Sequence, residues 1–135
     1  MMAPDLHPRA TPAPARRGNV EAEIQAAIVQ WTRTVAPDCV IFHVANGGLR
    51  GKREAARLKW QGVLPGVPDL IVFAPVGRVL AMEVKAPKGV LSADQKAMFE
   101  TLVALGVPHA IVRSVDDARR AFAAWGIRTR EARPA

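Results

Sequence analysis

The sequence predicts a single α/β domain in which helices flank a mixed β-sheet. Half of the 135 residues are apolar, which is enough for one buried core. Short runs rich in β-branched residues alternate with longer segments whose apolar residues recur at helical spacing. Two of the short runs are separated by only three residues, Pro75 to Gly77, a connection typical of a β-hairpin.

The first half of the chain predicts a helix, a strand and a second helix. The first helix is predicted over residues 20–35, with Asn19 as its N-cap. The run 39–44 predicts a strand that ends at the turn 46–48, which reads Asn-Gly-Gly. The basic segment that follows predicts a short helix with a cationic face and a small apolar stripe that includes Trp60.

The second half predicts the hairpin and then a helix, a strand and a helix. The hairpin strands span residues 69–74 and 78–85. Ser92 and Gln95 match a capping box, which predicts the start of the next helix. The remaining boundaries are Gly106 at the end of that helix, a strand at 107–112, and a last helix from Ser114 to Gly126.

Pairing the hairpin symmetrically about Val76 places Asp69 opposite Glu83. Opposed residues have Cβ atoms about 4.5–5.5 Å apart and share a face, and Lys85 lies on the same face two residues beyond Glu83. The intervening residues on this face are apolar, which predicts that the polar group lies at the margin of a core. Opposed carboxylates repel unless a cation such as Mg²⁺ neutralises them. The spacing therefore predicts metal-assisted phosphodiester hydrolysis.

Each of these residues also has an ordinary structural interpretation. Asp69 could open a strand, and Glu83 with Lys85 could form an exposed ion pair. Two residues at helix starts are further candidates for this site, Gln95 and Glu21. The capping box alone explains Gln95, and a favourable interaction with the helix dipole explains Glu21. The spaced set, taken together, favours the catalytic interpretation.

The charge of the chain favours a polyanionic partner. Lys and Arg number 19 against 12 Asp and Glu, a formal net charge of +7, which does not by itself separate DNA from RNA. Phosphate contacts are predicted for the basic segment and the turn before it. The residues are Asn46, Arg50, Lys52, Arg53, Arg57 and Lys59. The three tryptophans, Trp31, Trp60 and Trp125, are interpreted as core or interface anchors rather than base-stacking platforms.

The ends of the chain differ in composition from its centre. Residues 1–18 are rich in proline and arginine and predict a disordered basic arm, residues 19–126 the folded domain, and residues 127–135 a basic tail. The single Cys39 excludes an internal disulfide and a multi-cysteine zinc site. Without a membrane span or signal peptide, we expect a cytoplasmic protein of a bacterial cell or phage-infected host, with no membrane partner.

The spaced residues carry a family resemblance. Gly66, Val67, Pro68 and Asp69, followed after thirteen residues by Glu83, Val84 and Lys85, resemble the PD-(D/E)XK nuclease signature. Glu21 with Gln25, the turn 45–48, the basic segment, and Ser92 with Gln95 extend the resemblance to the VRR-NUC branch, especially its small stand-alone phage and bacterial members, over roughly residues 20–125. By this resemblance the catalytic pattern falls on Glu21, Asp69, Glu83, Lys85 and Gln95.

The resemblance implies a restriction-endonuclease-like fold and a DNA endonuclease dependent on Mg²⁺ or Mn²⁺, held by Asp69, Glu83 and Glu21. Glu21 is preferred over Glu23 because it stands four residues before Gln25 and shares its helix face. Selectivity for branched or junction DNA and pairing into homodimers are further implications. The alternatives are a non-catalytic DNA-binding module with the same fold and an RNA-directed nuclease.

Overall fold

The computed structural model describes residues 6–7, 19–45 and 51–131. The elements in these residues follow the predicted order, and the strands are shorter than predicted by one or two residues at an end. They are α1 (Val20–Val35), β1 (Val40–His43), α2 (Lys52–Trp60), β2 (Leu70–Ala74), β3 (Arg78–Val84), α3 (Ala93–Leu105), β4 (His109–Val112) and α4 (Val115–Ala124). The predicted turn at 46–48 lies outside the described residues.

The four strands form one mixed sheet in the order β1-β2-β3-β4. The pairs β1–β2 and β2–β3 are antiparallel, whereas β3–β4 is parallel. A parallel pair needs a crossover connection, and α3 supplies it. The predicted α/β class, with a mixed sheet and flanking helices, is confirmed.

The hairpin between β2 and β3 has the predicted register. Leu70 lies opposite Met82, and the ladder continues to Ala74 opposite Arg78. At the other end, the next position along this ladder places Asp69 beside Glu83. The register follows from the three-residue turn and from the alternation of side chains along both strands.

The turn Pro75–Gly77 contains two residues in the left-handed region. Gly77 has φ +72, which glycine adopts without strain, but Val76 has φ +66. A β-branched residue is disfavoured there. Val76 is 99% exposed, so its side chain makes no packing contact that would offset this strain.

The main core lies on one face of the sheet, which α1 and α4 cover. Ile28 of α1 and Phe122 of α4 are buried against it, and the rings of Trp31 and Trp125 pack on Phe122 with centroids 5.2 and 6.0 Å away. These two tryptophans are core anchors, as predicted. The strands contribute Ile41, Leu70, Val72, Leu80, Met82, Val84 and Val112.

The opposite face is only partly covered, and it is the face that carries Asp69 and Glu83. Helix α3 crosses it, with the ring of Phe99 4.7 Å from that of His109. Beyond α3, the side chains remain partly exposed at Phe42, Phe73, Val79 and Ile111. The polar pair therefore lies on the less covered face, not beside the main core.

The described part of the C-terminal segment packs on α1 and α4. The Arg119 guanidinium donates to Glu131 at 2.7 and 2.9 Å, and the Trp31 indole Nε1 donates to the same carboxylate. The backbone of Arg130 donates to the carbonyl oxygen of Val35 at 2.7 Å. Among the described helices, none has the length and apolar character needed to cross a membrane.

Candidate active site

Asp69 and Glu83 meet at the open end of the β2–β3 hairpin. The Oδ2 atom of Asp69 accepts a hydrogen bond from the backbone nitrogen of Val84 at 2.8 Å, which fixes the carboxylate beside the neighbouring strand. Glu83 is only 1% exposed. A carboxylate is rarely buried to this extent unless it is paired with a cation or binds a metal.

Helix α3 brings Gln95 to Glu83. Its Nε2 donates to Glu83 Oε1 at 2.9 Å, while its Oε1 accepts from the backbone nitrogen of Ser92 at 2.8 Å. The Ser92 hydroxyl accepts from the Gln95 backbone nitrogen at 3.2 Å, so the predicted capping box is present. From the sequence, helix capping and a place in the site were alternative explanations for Gln95. Its amide forms both hydrogen bonds, one to the Ser92 backbone and one to Glu83. Because the Ser92 N–H must face the amide oxygen, the NH₂ group is left for Glu83.

The second oxygen of Glu83 has no donor. Oε2 is buried and lacks a hydrogen-bond partner within residues 6–7, 19–45 and 51–131. The pKa of Glu83 is raised from 4.5 to about 8. Burial is the largest cause, the neighbouring Asp69 carboxyl and the Glu21 charge add to the rise, and the Lys85 charge opposes it. Neighbouring ionised carboxylates repel, so the pair favours either a shared proton or a bound cation.

The donor set fits a hard divalent cation. Mg²⁺ prefers oxygen ligands and usually takes one or two carboxylates, keeping water and phosphate oxygens as its other ligands. Asp69 and Glu83 supply two carboxylates, one with an unpartnered oxygen. Over the described ranges, no three His, Cys, Asp or Glu side chains cluster closely enough to hold a metal by themselves. The pair therefore fits a metal that also binds substrate, not a closed structural metal site.

Glu21 lies at the edge of this site. Its Oε1 accepts from the backbone nitrogen of Ala86 at 3.4 Å and would lie 3.5 Å from a Cβ built at Gly89. Its charge contributes to the raised pKa of Glu83, but it does not complete a three-carboxylate cluster with that residue and Asp69. The role of Glu21 as a metal ligand stays a prediction.

Lys85 begins the loop that leaves β3, and Arg113 holds that loop. Lys85 is 9% exposed, and its backbone nitrogen donates to the carbonyl oxygen of Val112 at 3.0 Å. One guanidinium nitrogen of Arg113, Nη1, donates to three carbonyl oxygens of the loop 86–89, at 2.6, 2.8 and 3.3 Å. Sequence reasoning missed Arg113, whose only signal is a cation directly after the strand parallel to β3.

Gly66 sets the approach of the Asp69 loop to α3. Its φ is +79, and a Cβ built there would lie 2.5 Å from the carbonyl oxygen of Asp94 and 2.9 Å from the backbone nitrogen of Gln95. Only glycine permits both this conformation and this contact. Since Asp69 follows three residues later, the contact fixes the position of Asp69 relative to Gln95. The motif contained Gly66, but its role depends on packing that the motif does not show.

Helix α2 presents the predicted cations at the surface. Lys52, Arg53, Arg57 and Lys59 are all exposed, whereas Asn46 and Arg50 lie outside the described residues.

The apolar stripe predicted for this helix, Ala55, Ala56, Leu58 and Trp60, is wrong in two members. Ala55 and Leu58 are half-buried, but Ala56 is exposed and Trp60 is 86% exposed. Trp60 follows Leu58 by two positions, about 200° around the helix axis, and therefore points away from it. Of the predicted alternatives for Trp60, core anchor or interface anchor, the core alternative is therefore wrong, and the interface alternative stays a prediction.

The fold is an α/β domain with a mixed sheet, and its family is shown by a match along most of the chain. The family model of the VRR-NUC domain matches residues 12–116, and the chain belongs to this family, which is a nuclease-type, DNA-binding domain family. The resemblance to the VRR-NUC family that the sequence predicted is confirmed.

Two solved structures share the fold. One, described as "VRR_NUC domain protein", has a TM-score of 0.64 and 24% identity, covering 82% of this chain and 90% of that chain. Another, described as "VRR_NUC domain", has a TM-score of 0.57 and 18% identity, covering 78% of this chain and 97% of that chain. No curated protein matches the sequence.

Proposed function

We propose that this protein is a DNA endonuclease that hydrolyses phosphodiester bonds at the Asp69–Glu83 pair and depends on Mg²⁺ or Mn²⁺. The observation that carries the proposal is the buried Glu83 Oε2 atom, which has no hydrogen-bond donor in the described part of the chain and lies next to a second carboxyl group. Two such carboxyl groups are both ionised at low cost only when a cation lies between them, whereas without it one of them keeps a proton.

The surrounding residues prepare the pair for that cation. Asp69 and Glu83 would hold it, and when bound it polarises the scissile phosphate and lowers the pKa of a bound water. The Val84 backbone N–H holds Asp69 Oδ2, and the Gln95 amide holds Glu83 Oε1, so each carboxylate keeps one further oxygen available. Both carboxyl groups are thereby oriented before any ligand arrives.

Lys85 supplies positive charge at the same place. Its ammonium favours the ionised form of Glu83, which is the form that binds a cation. The same charge would offset the negative charge that develops on the phosphate during attack by water. The loop anchored by Arg113 keeps the backbone after Lys85 in place.

DNA is the proposed substrate because of the family and the basic surface. The four exposed cations of α2 are suited to phosphate contacts, which position a nucleic acid without reading its sequence. Branched or junction DNA and pairing into a homodimer remain proposals that rest on the resemblance. A homodimer would place two active sites on two strands. Sedimentation with and without DNA measures the oligomeric state.

A nuclease assay tests the proposal. Linear duplex, flapped DNA, four-way junctions and a matched RNA would be incubated with Mg²⁺, Mn²⁺ or EDTA. We expect DNA cleavage with either metal and none in EDTA or by the Glu83→Gln variant, which keeps the shape of the side chain but removes its charge. The exposed Glu100 on α3 offers the matched control, Glu100→Gln, which should cut normally.

Other outcomes would identify the alternatives. DNA binding without cleavage under every metal condition would indicate a non-catalytic module. Cleavage of RNA alone would indicate an RNA-directed nuclease. A well-folded Glu83→Gln variant that cuts at the parent rate would place the active site elsewhere.

A further inference from the structure

The outward face of α2 combines one aromatic ring with two cations. Trp60 follows Arg53 by seven residues, close to two full turns, and follows Arg57 by three residues, so the three side chains share one face. Ala55 and Leu58, the half-buried residues of this helix, lie on the opposite side. The shared face therefore points away from the protein.

The ring of Trp60 is exposed to an unusual degree for its type. It is 86% exposed, whereas the other two tryptophans pack on Phe122. Within the described ranges, no aromatic ring or cation packs against its indole, and no carboxylate pairs with Arg53 or Arg57. Tryptophan is normally well buried, so a flat apolar surface at the end of a row of cations that pair with no carboxylate in the described ranges indicates a ligand that is both planar and anionic.

We propose that Trp60 stacks on an unpaired nucleobase of the DNA substrate while Arg57 and Arg53, one and two turns further along the same helix face, contact neighbouring phosphates of the same strand. The inference rests on the proposed function and adds a residue that selects substrate structure. Single-stranded nucleic acid is commonly bound by aromatic rings set in a cationic surface, because every base has a π-face and every nucleotide a phosphate.

A continuous duplex does not present such a base. Its bases are already stacked on one another, so an aromatic side chain gains a stacking partner only at an overhang, flap, gap or splayed branch. The cations contact any DNA strand, paired or unpaired. Trp60 should therefore add affinity only for DNA with unpaired nucleotides, and the two arginines should add affinity for both forms.

The chain connection keeps this surface near the carboxylate pair. Trp60 precedes Asp69 by nine residues, which span at most about 30 Å when fully extended. The connection is shorter than this limit, because Gly62 has φ +108 and the Val63 nitrogen donates back to the carbonyl oxygen of Leu58 at 2.9 Å. About 30 Å is the rise of about nine base pairs, so one DNA molecule can reach both places.

The test compares two DNA molecules bound by the full chain. One is a labelled duplex with a single-stranded overhang, and the other is the same duplex with blunt ends, both in EDTA so that no cleavage occurs. Fluorescence anisotropy would give the affinities of the parent, Trp60→Ala and Trp60→Phe proteins. We expect Trp60→Ala to weaken binding of the overhang about 5- to 150-fold and binding of the blunt duplex less than about twofold. Trp60→Phe, which keeps an aromatic face, should restore most of the loss.

A matched control separates stacking from a general loss of apolar surface. Val103 is an exposed apolar residue on α3, at 68% exposure, and Val103→Ala should leave both affinities unchanged. The Arg53→Ala and Arg57→Ala variants should weaken binding of both DNA molecules by similar factors. Because Trp60 is exposed, its variants should melt at the parent temperature.

Several results would overturn the inference. The inference fails if Trp60→Ala weakens binding of both DNA molecules by the same factor or weakens neither. It also fails if Val103→Ala weakens binding of the overhang as much as Trp60→Ala does. Dissociation of an oligomer by Trp60→Ala in sedimentation, without any preference between the DNA molecules, would assign the face to a second copy of the chain. If the parent protein cuts DNA but Trp60→Ala binds the overhang as tightly as the parent does, this inference is wrong and the proposed function is unaffected. Failure of the parent to cut would overturn the proposed function, and the binding test in EDTA would still decide the role of Trp60.

Discussion

The carboxylate pair and helix α2 are built in opposite ways. Glu83, on a central strand of the sheet, is 1% exposed and Lys85, directly after that strand, is 9% exposed, whereas α2 has no buried residue. Groups that perform chemistry need fixed geometry and a low local dielectric, which burial on a sheet provides. Groups that collect a large polyanion need exposure, and a helix held by one face provides that. Changes at the first region should alter turnover, and changes at the second should alter affinity.

The largest effect is expected from removing a carboxylate. Asp69→Ala or Glu83→Ala should lower turnover by at least about a hundredfold, because the metal loses one of few protein ligands.

The double variant Arg53→Ala/Arg57→Ala should weaken DNA binding but keep turnover at saturating DNA. Single-turnover cleavage at several DNA concentrations separates the two. Loss of saturating turnover in the α2 variant would contradict the division between the regions.

Lys85→Ala should separate metal binding from chemistry. The variant should still bind Mg²⁺ or Mn²⁺, because an ammonium is not a ligand, but lose most turnover. Calorimetry measures the metal affinity and a cleavage assay measures the rate. Lost metal affinity with normal turnover would show that Lys85 has another role.

Gly66→Ala should damage the site through the backbone. The added Cβ overlaps the backbone of Asp94 and Gln95, and the residue also keeps a positive φ, so we expect a loss of about 2–4 kcal/mol in the free energy of unfolding and reduced turnover. Gly106→Ala is the matched control, since its φ is +72 but nothing lies within 4 Å of the added atom. Denaturant unfolding measures both. Equal losses in the two variants would mean that conformation alone, and not contact with α3, explains Gly66.

The stability of the metal-free protein should fall as the pH rises. Burial and Asp69 raise the pKa of Glu83 to about 8, so between pH 4.5 and about 8 the unfolded chain releases a proton that the folded chain keeps. The free energy of unfolding attributable to Glu83 therefore decreases across this window and is constant above it. Glu83→Gln should abolish that component, and Glu100→Gln should not.

Divalent metal should reverse this pH effect. Mg²⁺ favours the ionised carboxylates, so it should raise the melting temperature most at the upper end of the window and release protons on binding. In Lys85→Ala the proton release should grow, because Lys85 lowers the pKa of Glu83. Melting curves and calorimetry in buffers of different ionisation enthalpy test this. If the melting temperatures of the parent and Glu83→Gln proteins depend on pH in the same way, Glu83 is not the group that causes the pH effect.

The smallest effect is expected in the salt dependence of binding. Each phosphate contact contributes about 0.9 to the slope of log affinity against log salt concentration on duplex DNA. Neutralising Arg53 and Arg57 should therefore reduce the magnitude of that slope by about two. A titration of blunt duplex at several salt concentrations measures it. An unchanged slope would move the phosphate surface away from α2.

The sequence by itself determined the elements and the central pair. Helix caps such as Ser92 are local, and strand alternation with a three-residue turn sets which residues oppose each other, so the sequence pattern alone pairs Asp69 with Glu83. Asn19 likewise caps α1 through its side chain, as predicted. Local chemistry and short-range geometry suffice for features of this kind.

Only the tertiary structure decided how deeply Glu83 is buried, that Gln95 serves both the cap and the site, and that Arg113 holds the loop after Lys85. These features depend on where α3 and β4 pack, which involves residues distant in sequence. The same is true of Trp60. Its segment has the pattern of a mixed apolar and basic helix, and no local pattern specifies that Ala55 and Leu58 are half-buried while Trp60 is exposed.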